Sequence, residues 1–487
     1  MIELKDILYK VTINAVVGST TVKVADVHFD SRKIKKGDVF VAIKGTVVDG
    51  HEFIEKAIED GAAAIVCETL PNELKEKLTY IQVEDANKAL AFMAANFYGN
   101  PSENLKLVGV TGTNGKTTVS TLLYQLFKKA GFKVGLLSTV KIMVDDKEYK
   151  ATHTTPDSLT INKYLNEMNE EGVEFCFMEV SSHGIHQSRT EGLHFEGGIF
   201  TNLTHDHLDY HKTFAEYRDV KKMFFDQLPK TAFALVNIDD KNGLVMMQNT
   251  KAKKQTYALK SYADFKAKIL ENQFGGLLLK LDDNEVWTRL IGNFNAYNIL
   301  AIYATAKLLG LETVEVLQLV SQLESVSGRF QYFVSEDKIT AIVDYAHTPD
   351  ALKNVLETIN SIRTKNEELI TVVGCGGDRD KTKRPKMGHI ASALSTKVIF
   401  TSDNPRTEVA ETIIEDIEKG VEPQNFKKTL SIVDRKQAIK AACQMAQPND
   451  IILVAGKGHE TYQEIKGERF DFDDYKIVKD FLKQLKK

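Results

Sequence analysis

The sequence predicts an α/β protein of three domains: a small N-terminal α/β domain over residues 1–100, a central sheet domain over 101–330, and a C-terminal domain with its own open α/β sheet over 331–487. Three observations predict it. A chain of 487 residues is too long for one core, since single cores stop growing near about 250–300 residues. Apolar runs of strand length alternate with helical stretches through the middle and last thirds. The stretch 105–118 runs from an apolar strand through a Gly-rich turn into a helix.

Composition narrows the class. Hydrophobic content of 43% and charged content of 27% are those of a soluble globular chain. A net charge of −4 supplies no bulk field for a polyanion, so no nucleic-acid partner is expected and any phosphate binding must be local. The four cysteines, Cys67, Cys176, Cys375 and Cys443, are scattered without a Cys-x-x-Cys pair. They read as buried free thiols of a reducing compartment. No apolar run reaches 18 residues and no basic-then-apolar leader opens the chain, so a cytoplasmic, unanchored protein is expected. A monomer is the expected state, though nothing in the sequence shows it.

In the first hundred residues, Asp38-Val-Phe-Val-Ala-Ile43 reads as a strand, and helices are expected near 54–60 and 89–98. Gly99-Asn-Pro-Ser102 marks the first boundary. The strand that follows ends in Gly112-Thr-Asn-Gly-Lys-Thr-Thr118. That order builds a phosphate cradle: backbone N–H groups and a helix N-terminus face an anion, Lys116 neutralises it, and Thr117 can hold Mg²⁺. The usual spacing puts a Gly where this chain has Val110, so the turn is a variant built on Gly112 and Gly115. Val119, Leu122, Leu123, Leu126, Phe127 and Ala130 then recur at helical spacing, and Gly131 can end the helix.

Strands are expected over 173–180, 198–203 and 232–237, nearly continuous in apolar residues, as in a largely parallel sheet covered on both faces. A helix is expected over 295–309, and the second boundary near Gly328-Arg-Phe330. Beyond it, strands at 341–344, 369–373, 397–401 and 451–454 each run into polar or Gly-rich sequence: Asp344-Tyr-Ala-His347, Gly374-Cys-Gly-Gly-Asp-Arg379, Asp403-Asn-Pro-Arg406 and Gly456-Lys-Gly-His-Glu460. Ligands of open α/β sheets bind beyond the carboxyl ends of the strands, so these four turns predict one binding edge.

Glu179 closes an apolar strand at the edge that carries the phosphate loop, where a carboxylate suits Mg²⁺. Thr201-Asn-Leu-Thr-His-Asp-His-Leu-Asp-Tyr-His211 crowds three His and two Asp into seven positions. It fits a zinc site or a Mg²⁺ site beside a nucleotide. Lys221 and Lys222 follow Tyr217 at helical spacing and read, by pattern alone, as two solvated lysines. Arg189, with Gln187, and the turn His153-Thr-Thr-Pro156 could bind an anionic substrate. Arg379 and Arg406 suit bidentate carboxylate recognition, and Glu460 adds an acceptor for an ammonium group. Together they match an amino acid with more than one charged end.

The whole chain resembles the Mur ligases, ATP-dependent enzymes that build the peptide of peptidoglycan. Within that family it is similar to the MurE type, which adds the third residue. The match is carried by Asp30-Ser-Arg32, Gly112-Thr-Asn-Gly-Lys-Thr-Thr118, Thr154-Thr-Pro156, Glu179-Val-Ser-Ser-His-Gly184, Asn202 with Asp206-His-Leu-Asp209, Ser327-Gly-Arg-Phe330, Asp344-Tyr-Ala-His-Thr-Pro349 and Ala455-Gly-Lys-Gly-His-Glu460. The resemblance implies a P-loop ATP-binding central domain and a Rossmann-like C-terminal domain. It implies that Gly112, Thr113, Asn114, Gly115, Lys116, Thr117, Thr118, Asn298, Arg329 and Asp344 bind ATP. It puts Ser31, Thr154, Thr155, Ser181, Gln187 and Arg189 on a UDP-N-acetylmuramoyl dipeptide. It implies Mg²⁺ on Thr117, Glu179 and His207, and a carbamylated Lys221 binding a second Mg²⁺, which reverses the pattern-based reading of that lysine. Lys116, Lys221 and His207 are then the catalytic set. The incoming amino acid would meet Arg379, Asp403, Asn404, Pro405, Arg406, Gly456 and Glu460. Asp403-Asn-Pro-Arg406 is similar to the pattern of enzymes that add meso-diaminopimelate, whose extra carboxylate an extra Arg would pair. Rival readings are the same ligation with L-lysine, a folylpolyglutamate synthetase-like ligase, and a nucleotide-switched module without bond-forming chemistry.

Overall fold

The structure, a computed structural model, describes residues 1–45, 48–204 and 210–487. The chain divides into two compact units, Met1–Asn202 with Ala215–Thr256, and Leu203–Phe214 with Tyr257–Lys487.

The first unit opens with a five-stranded sheet in the order Ile13–Val17, Thr79–Val83, Ala64–Cys67, Val39–Val41, Val27–His28, parallel except at the Ile13–Val17 edge. Its inner strands are apolar on both faces and almost wholly buried, so two clusters form, one with Val39, Val66 and Ile81 and one with Phe40, Ile65 and Tyr80. The helix Ala86–Phe97 covers the first, and the Asp85 carboxylate caps it by accepting from Lys88 N at 2.9 Å.

The main sheet of this unit contains the run Val134–Leu137, Phe175–Glu179, Lys106–Thr111, Gly197–Phe200, Phe233–Asn237, all parallel. The chain leaves Lys106–Thr111 through the helix Lys116–Lys129 to reach Val134–Leu137 on one side, while Gly197–Phe200 flanks the other. The order therefore reverses at the Lys106–Thr111 strand, the switch point beyond which such sheets bind ligands. The register pairs Glu179 with Val110 and Phe200 with Thr111, which brings three strand ends level there. A Cβ at Gly109 would meet Phe224 at 2.5 Å, so glycine lets the helix Phe214–Asp226 lie close.

An antiparallel hairpin, Lys141–Val144 with Lys147–Lys150, extends this sheet. In the second unit the strands Phe265–Gln273, Gly276–Leu281 and Asn284–Thr288 form an antiparallel meander. Sequence reading identified neither. The expected helix over 295–309 is observed as Asn293–Leu308.

The C-terminal sheet runs Gln331–Val334, Thr340–Asp344, Ile451–Ala455, Leu369–Val373, Lys397–Phe400, Thr429–Ser431, with only the first strand antiparallel. The register aligns Asp344 and Val373 with Ala455, and Val373 with Phe400. The four polar turns predicted at these strand ends thus leave the sheet along one edge. All four cysteines are buried free thiols, and burial raises the Cys67 thiol to about 11 and those of Cys375 and Cys443 to about 12. No helix among the described residues is long and apolar enough to cross a membrane.

Candidate functional site

The Gly-rich turn is shaped by its neighbour strand. A Cβ at Gly112, where φ is +149°, would run into Thr201 Oγ1. That hydroxyl donates to Asn114 O at 2.6 Å. Asn202 closes the turn: its carbonyl accepts from Thr113 N at 2.8 Å, its Oδ1 from Asn114 N at 3.0 Å, and its Nδ2 donates to Asn114 O at 3.1 Å. Gly115, at φ +90°, then admits the chain to the helix that starts at Lys116. Lys116 Nζ folds back over the turn and donates to the carbonyls of Gly112 and Thr113, both at 2.9 Å. The first turn of a helix, a loop held from behind and a lysine over its mouth form an anion cradle.

Glu179 is fully buried at the neighbouring strand end. Its Oε2 accepts from Thr117 Oγ1 at 3.0 Å and its Oε1 from Thr139 N at 2.7 Å. The donor set around this point is oxygen, carboxylate and hydroxyl, which fits a hard divalent cation such as Mg²⁺. His205, Asp206, His207 and Asp209, and with them the zinc-or-magnesium question, lie outside the described residues.

The two lysines on the helix Phe214–Asp226 correct the solvated reading. Lys222 pairs with Asp226 at 2.6 Å, one turn on. Lys221 is 1% exposed. Its Nζ donates to Gly112 O at 3.0 Å and sits 4.9 Å from the centre of the Tyr217 ring, whose hydroxyl lies 3.1 Å from Thr113 Oγ1. Lys116, Thr117, Glu179 and Lys221 are therefore brought together around one turn.

A second group lies beside it. Thr155 Oγ1 donates to Glu179 O at 2.9 Å and accepts from Ser181 N at 2.9 Å. Thr154 Oγ1 accepts from Thr139 Oγ1 at 3.1 Å. Arg189 donates to Gln187 Oε1 through Nε and Nη2, and to Thr155 O through Nη1. Gln187 and Arg189 line a cleft of about 200 Å³ whose other wall includes Phe29 and Ile43 of the N-terminal sheet region and Leu90 of its helix. His153 lines it too, and burial, aided by Arg189, pushes its imidazole below the usual range. Ser31 lies two residues beyond Phe29, buried at the start of a short 3-10 turn that Asp30 caps.

The second unit holds a separate constellation. Arg406 takes a left-handed φ of +53°. Its Nη1 donates to Gly377 O at 2.7 Å, and its backbone bridges to the hairpin Tyr462–Ile465 with Glu468–Asp471 through Glu464 O and Lys466 N. A Cβ at Gly376 would meet Arg406 Nη1 at 2.9 Å and lie 3.9 Å from Arg379 Cγ, so both arginines flank the same turn. Asp403 Oδ1 accepts from Asn404 N at 2.7 Å, and a Cβ at Gly456 would meet Asp403 Oδ2 at 2.5 Å. The carbonyl of Pro405 accepts from Glu408 N at 3.0 Å. Glu460, expected as an acceptor at this edge, already has two donors: Oε2 accepts from Lys457 Nζ at 3.0 Å and Asn404 Nδ2 at 2.8 Å.

Charged residues behind this edge were not identified from sequence. Lys457, inside Gly456-Lys-Gly-His-Glu460, is fully buried. Arg435 and Asp474 form a fully buried ion pair at 2.7 Å, and Arg435 also donates to Ala455 O and Ser402 O. Arg384 holds Glu408 and Asp416, and it keeps the Glu408 carboxyl down at about 2. A Lys between two glycines at a strand end was the only signal available for any of them.

Two of the expected nucleotide contacts of this unit, Arg329 and Asp344, share a third cluster. Asp344 Oδ2 accepts from Phe330 N at 2.6 Å, and burial raises its carboxyl to about 6 against the pull of Arg329. The Arg329 guanidinium lies 4.7 Å from the centre of the Tyr345 ring, and His459 packs against that ring with its imidazole pushed by burial to about 3. Asn298, within the helix Asn293–Leu308, donates to Asn295 Oδ1 at 3.0 Å.

Family models described as the Mur ligase family catalytic domain, the Mur ligase middle domain, and the Mur ligase glutamate ligase domain match residues 23–98, 110–306 and 328–458. The UDP-N-acetylmuramoyl-L-alanyl-D-glutamate--2,6-diaminopimelate ligase of Cytophaga hutchinsonii is 56% identical over 486 residues, covering 100% of both chains. A solved structure of a ligase of the same name is 31% identical with a TM-score of 0.71, over 100% of this chain and 99% of that one. The MurF ligase of Thermotoga maritima, solved in complex with ADP, shares the fold at 20% identity and a TM-score of 0.64, over 96% of this chain and 98% of that one.

Proposed function

This chain belongs to the Mur ligase family, with its three domains, and from that premise we propose that it joins meso-2,6-diaminopimelate to UDP-N-acetylmuramoyl-L-alanyl-D-glutamate in peptidoglycan precursor synthesis. It is an ATP-dependent amide-forming ligase, with ADP and phosphate as products. Residues 1–100 hold the uridine nucleotide near Ser31, 101–330 carry the ATP site, and 331–487 receive the amino acid. The enzyme works in the cytoplasm as a monomer.

The D-Glu γ-carboxylate attacks the γ-phosphorus of ATP, ADP leaves, and an acyl phosphate forms. Gly112, Thr113, Asn114, Gly115, Thr117 and Thr118 cradle the phosphates, and Lys116 offsets charge on the transferring oxygens. Asn298, Arg329 and Asp344 contact the nucleotide from the C-terminal side of the sequence. Thr154, Thr155, Ser181, Gln187 and Arg189 orient the dipeptide so that its carboxylate is the group presented. The amine of the amino acid then attacks the acyl carbon, loses a proton, and phosphate departs.

Thr117, Glu179 and His207 would hold Mg²⁺, which supplies charge neutralisation at the phosphates when bound. Lys221 acts as a carbamate: its neutral amine adds CO₂ and sheds a proton, so a cation becomes a two-oxygen anion suited to a second Mg²⁺.

The observation that carries the choice of amino acid is Arg406, set beside Arg379 with Asn404 and Glu460 on the same edge. meso-Diaminopimelate is lysine with a further carboxylate, and an arginine matches it. The test is phosphate release by the purified enzyme with ATP, Mg²⁺, the UDP-dipeptide and a panel of amino acids. meso-Diaminopimelate should give the highest rate. Release with L-lysine at an equal rate, or none above the rate without an amino acid, overturns the reading.

A further inference from the structure

We propose that Lys457 is a positioning residue of the amino-acid pocket, fixing the Glu460 carboxylate and the Asn404 amide so that one Glu460 oxygen is kept for the distal ammonium of the incoming diamine. The inference rests on the reaction proposed above and deepens it.

A buried ammonium is costly unless its protons find acceptors, and a nonpolar residue of similar volume is often as good for stability. Lys457 is 0% exposed, on the turn that follows the strand Ile451–Ala455. Its Nζ has two acceptors, Asn404 Oδ1 at 3.0 Å and Glu460 Oε2 at 3.0 Å. Asn404 Oδ1 accepts a second bond from Glu464 N at 2.9 Å. With two donors on Oδ1, the amide has one orientation, and Nδ2 is turned to Glu460 Oε2 at 2.8 Å. The three side chains close a triangle. Both donors converge on Oε2, which leaves Oε1 to accept from a ligand.

The triangle spans two of the four turns at the binding edge, since Asn404 precedes Arg406 by two residues and Lys457 and Glu460 belong to the other turn. The guanidinium that would take the distal carboxylate and the carboxylate that would take the distal ammonium are thus set relative to each other through Lys457. Without its charge, Glu460 Oε2 keeps only the Asn404 amide as a donor, and the carboxylate can change rotamer. The pocket would then still hold a carboxylate but lose its grip on an ammonium.

The test compares meso-diaminopimelate with 2-aminopimelate, which lacks the distal amine, by kcat/KM in the phosphate-release assay. The wild type should prefer meso-diaminopimelate by about 100-fold or more, as sites built to bind an N–H group do. Lys457→Met should cut that preference to about fivefold or less, with KM for ATP within about threefold of wild type, the loss of a charge-assisted bond. Lys457→Gln, which can keep the bond to Asn404, is the companion should the methionine variant not fold, and it should show the same loss of preference. A variant that slows both amino acids equally and keeps the preference overturns the inference and leaves the reaction standing. A wild type that releases no phosphate with meso-diaminopimelate overturns the reaction, and this inference with it.

Discussion

The Gly-rich turn of the first unit, proposed for the phosphates, and the edge of the second unit, proposed for the amino acid, are both built at the carboxyl ends of parallel strands, yet they are held differently. The first is mostly backbone. The side chains of Asn202 and Thr201 grip the Asn114 backbone, and the charged groups near it, Lys116, Glu179 and Lys221, come from three separate elements. The second is mostly side chain. Lys457, Arg435 and Arg384 are each fully buried and each carry acidic partners behind the turns they support. A triphosphate has the same shape in every reaction, and amides can bind it. An amino acid has to be distinguished from its relatives, which takes directed charges on a rigid base.

Four measurements would break or sharpen that contrast. The largest effect is expected from Lys116→Ala. Its kcat should fall by about 10³-fold or more, the size found when a charge stabiliser of the transition state is removed, with KM for meso-diaminopimelate little changed. A large rise in that KM instead would mean that the two edges do not divide the work as described. Lys221→Ala should lose about 100-fold or more in kcat, and added short-chain carboxylates should restore part of it. Full activity without rescue excludes the carbamate. Arg406→Ala should raise KM for meso-diaminopimelate by about 30-fold, as the loss of a charge-assisted pair does, and leave KM for ATP nearly unchanged. Equal effects on both would remove the reason for assigning that edge to the amino acid.

The smallest effect is on pH stability. Arg384 holds the Glu408 carboxyl at about 2, well below its ordinary 4.5. Between these values the unfolded chain binds the proton and the folded one does not, so stability rises with pH across that window. The contribution is fully present above about 4.5 and lost as pH falls toward 2. Denaturation of Glu408→Gln between pH 3 and 6 should show a shallower slope than wild type. An identical slope would show that this pair does not support the second edge.

The phosphate turn was legible because its residues are contiguous and its glycines, lysine and hydroxyls each have one physical task. Glu179 was legible as a charge closing an apolar strand. The burial of Lys221 was not, because a lysine on a helix of mixed character has the same pattern whether its stem lies on the surface or inside. Arg435 and Asp474 are 39 residues apart and their pairing is a product of tertiary packing that no local period records. The hairpin at 141–150 and the meander at 265–288 were missed for a related reason. The strands Lys147–Lys150 and Phe265–Gln273 mix exposed charges such as Lys147, Glu148, Lys268 and Glu271 with few buried positions, and alternation is weak where little is buried.

Arg435 reaches the carbonyls of Ala455 and Ser402 at once, beneath the two turns that carry Glu460 and Arg406. Those turns therefore share one foundation and cannot drift apart independently. With this edge as the proposed amino-acid site, re-tailoring the enzyme for a different diamine is a matter of changing the side chains at the rim. An attempt to widen the pocket by respacing the turns would have to dismantle an interior ion pair first.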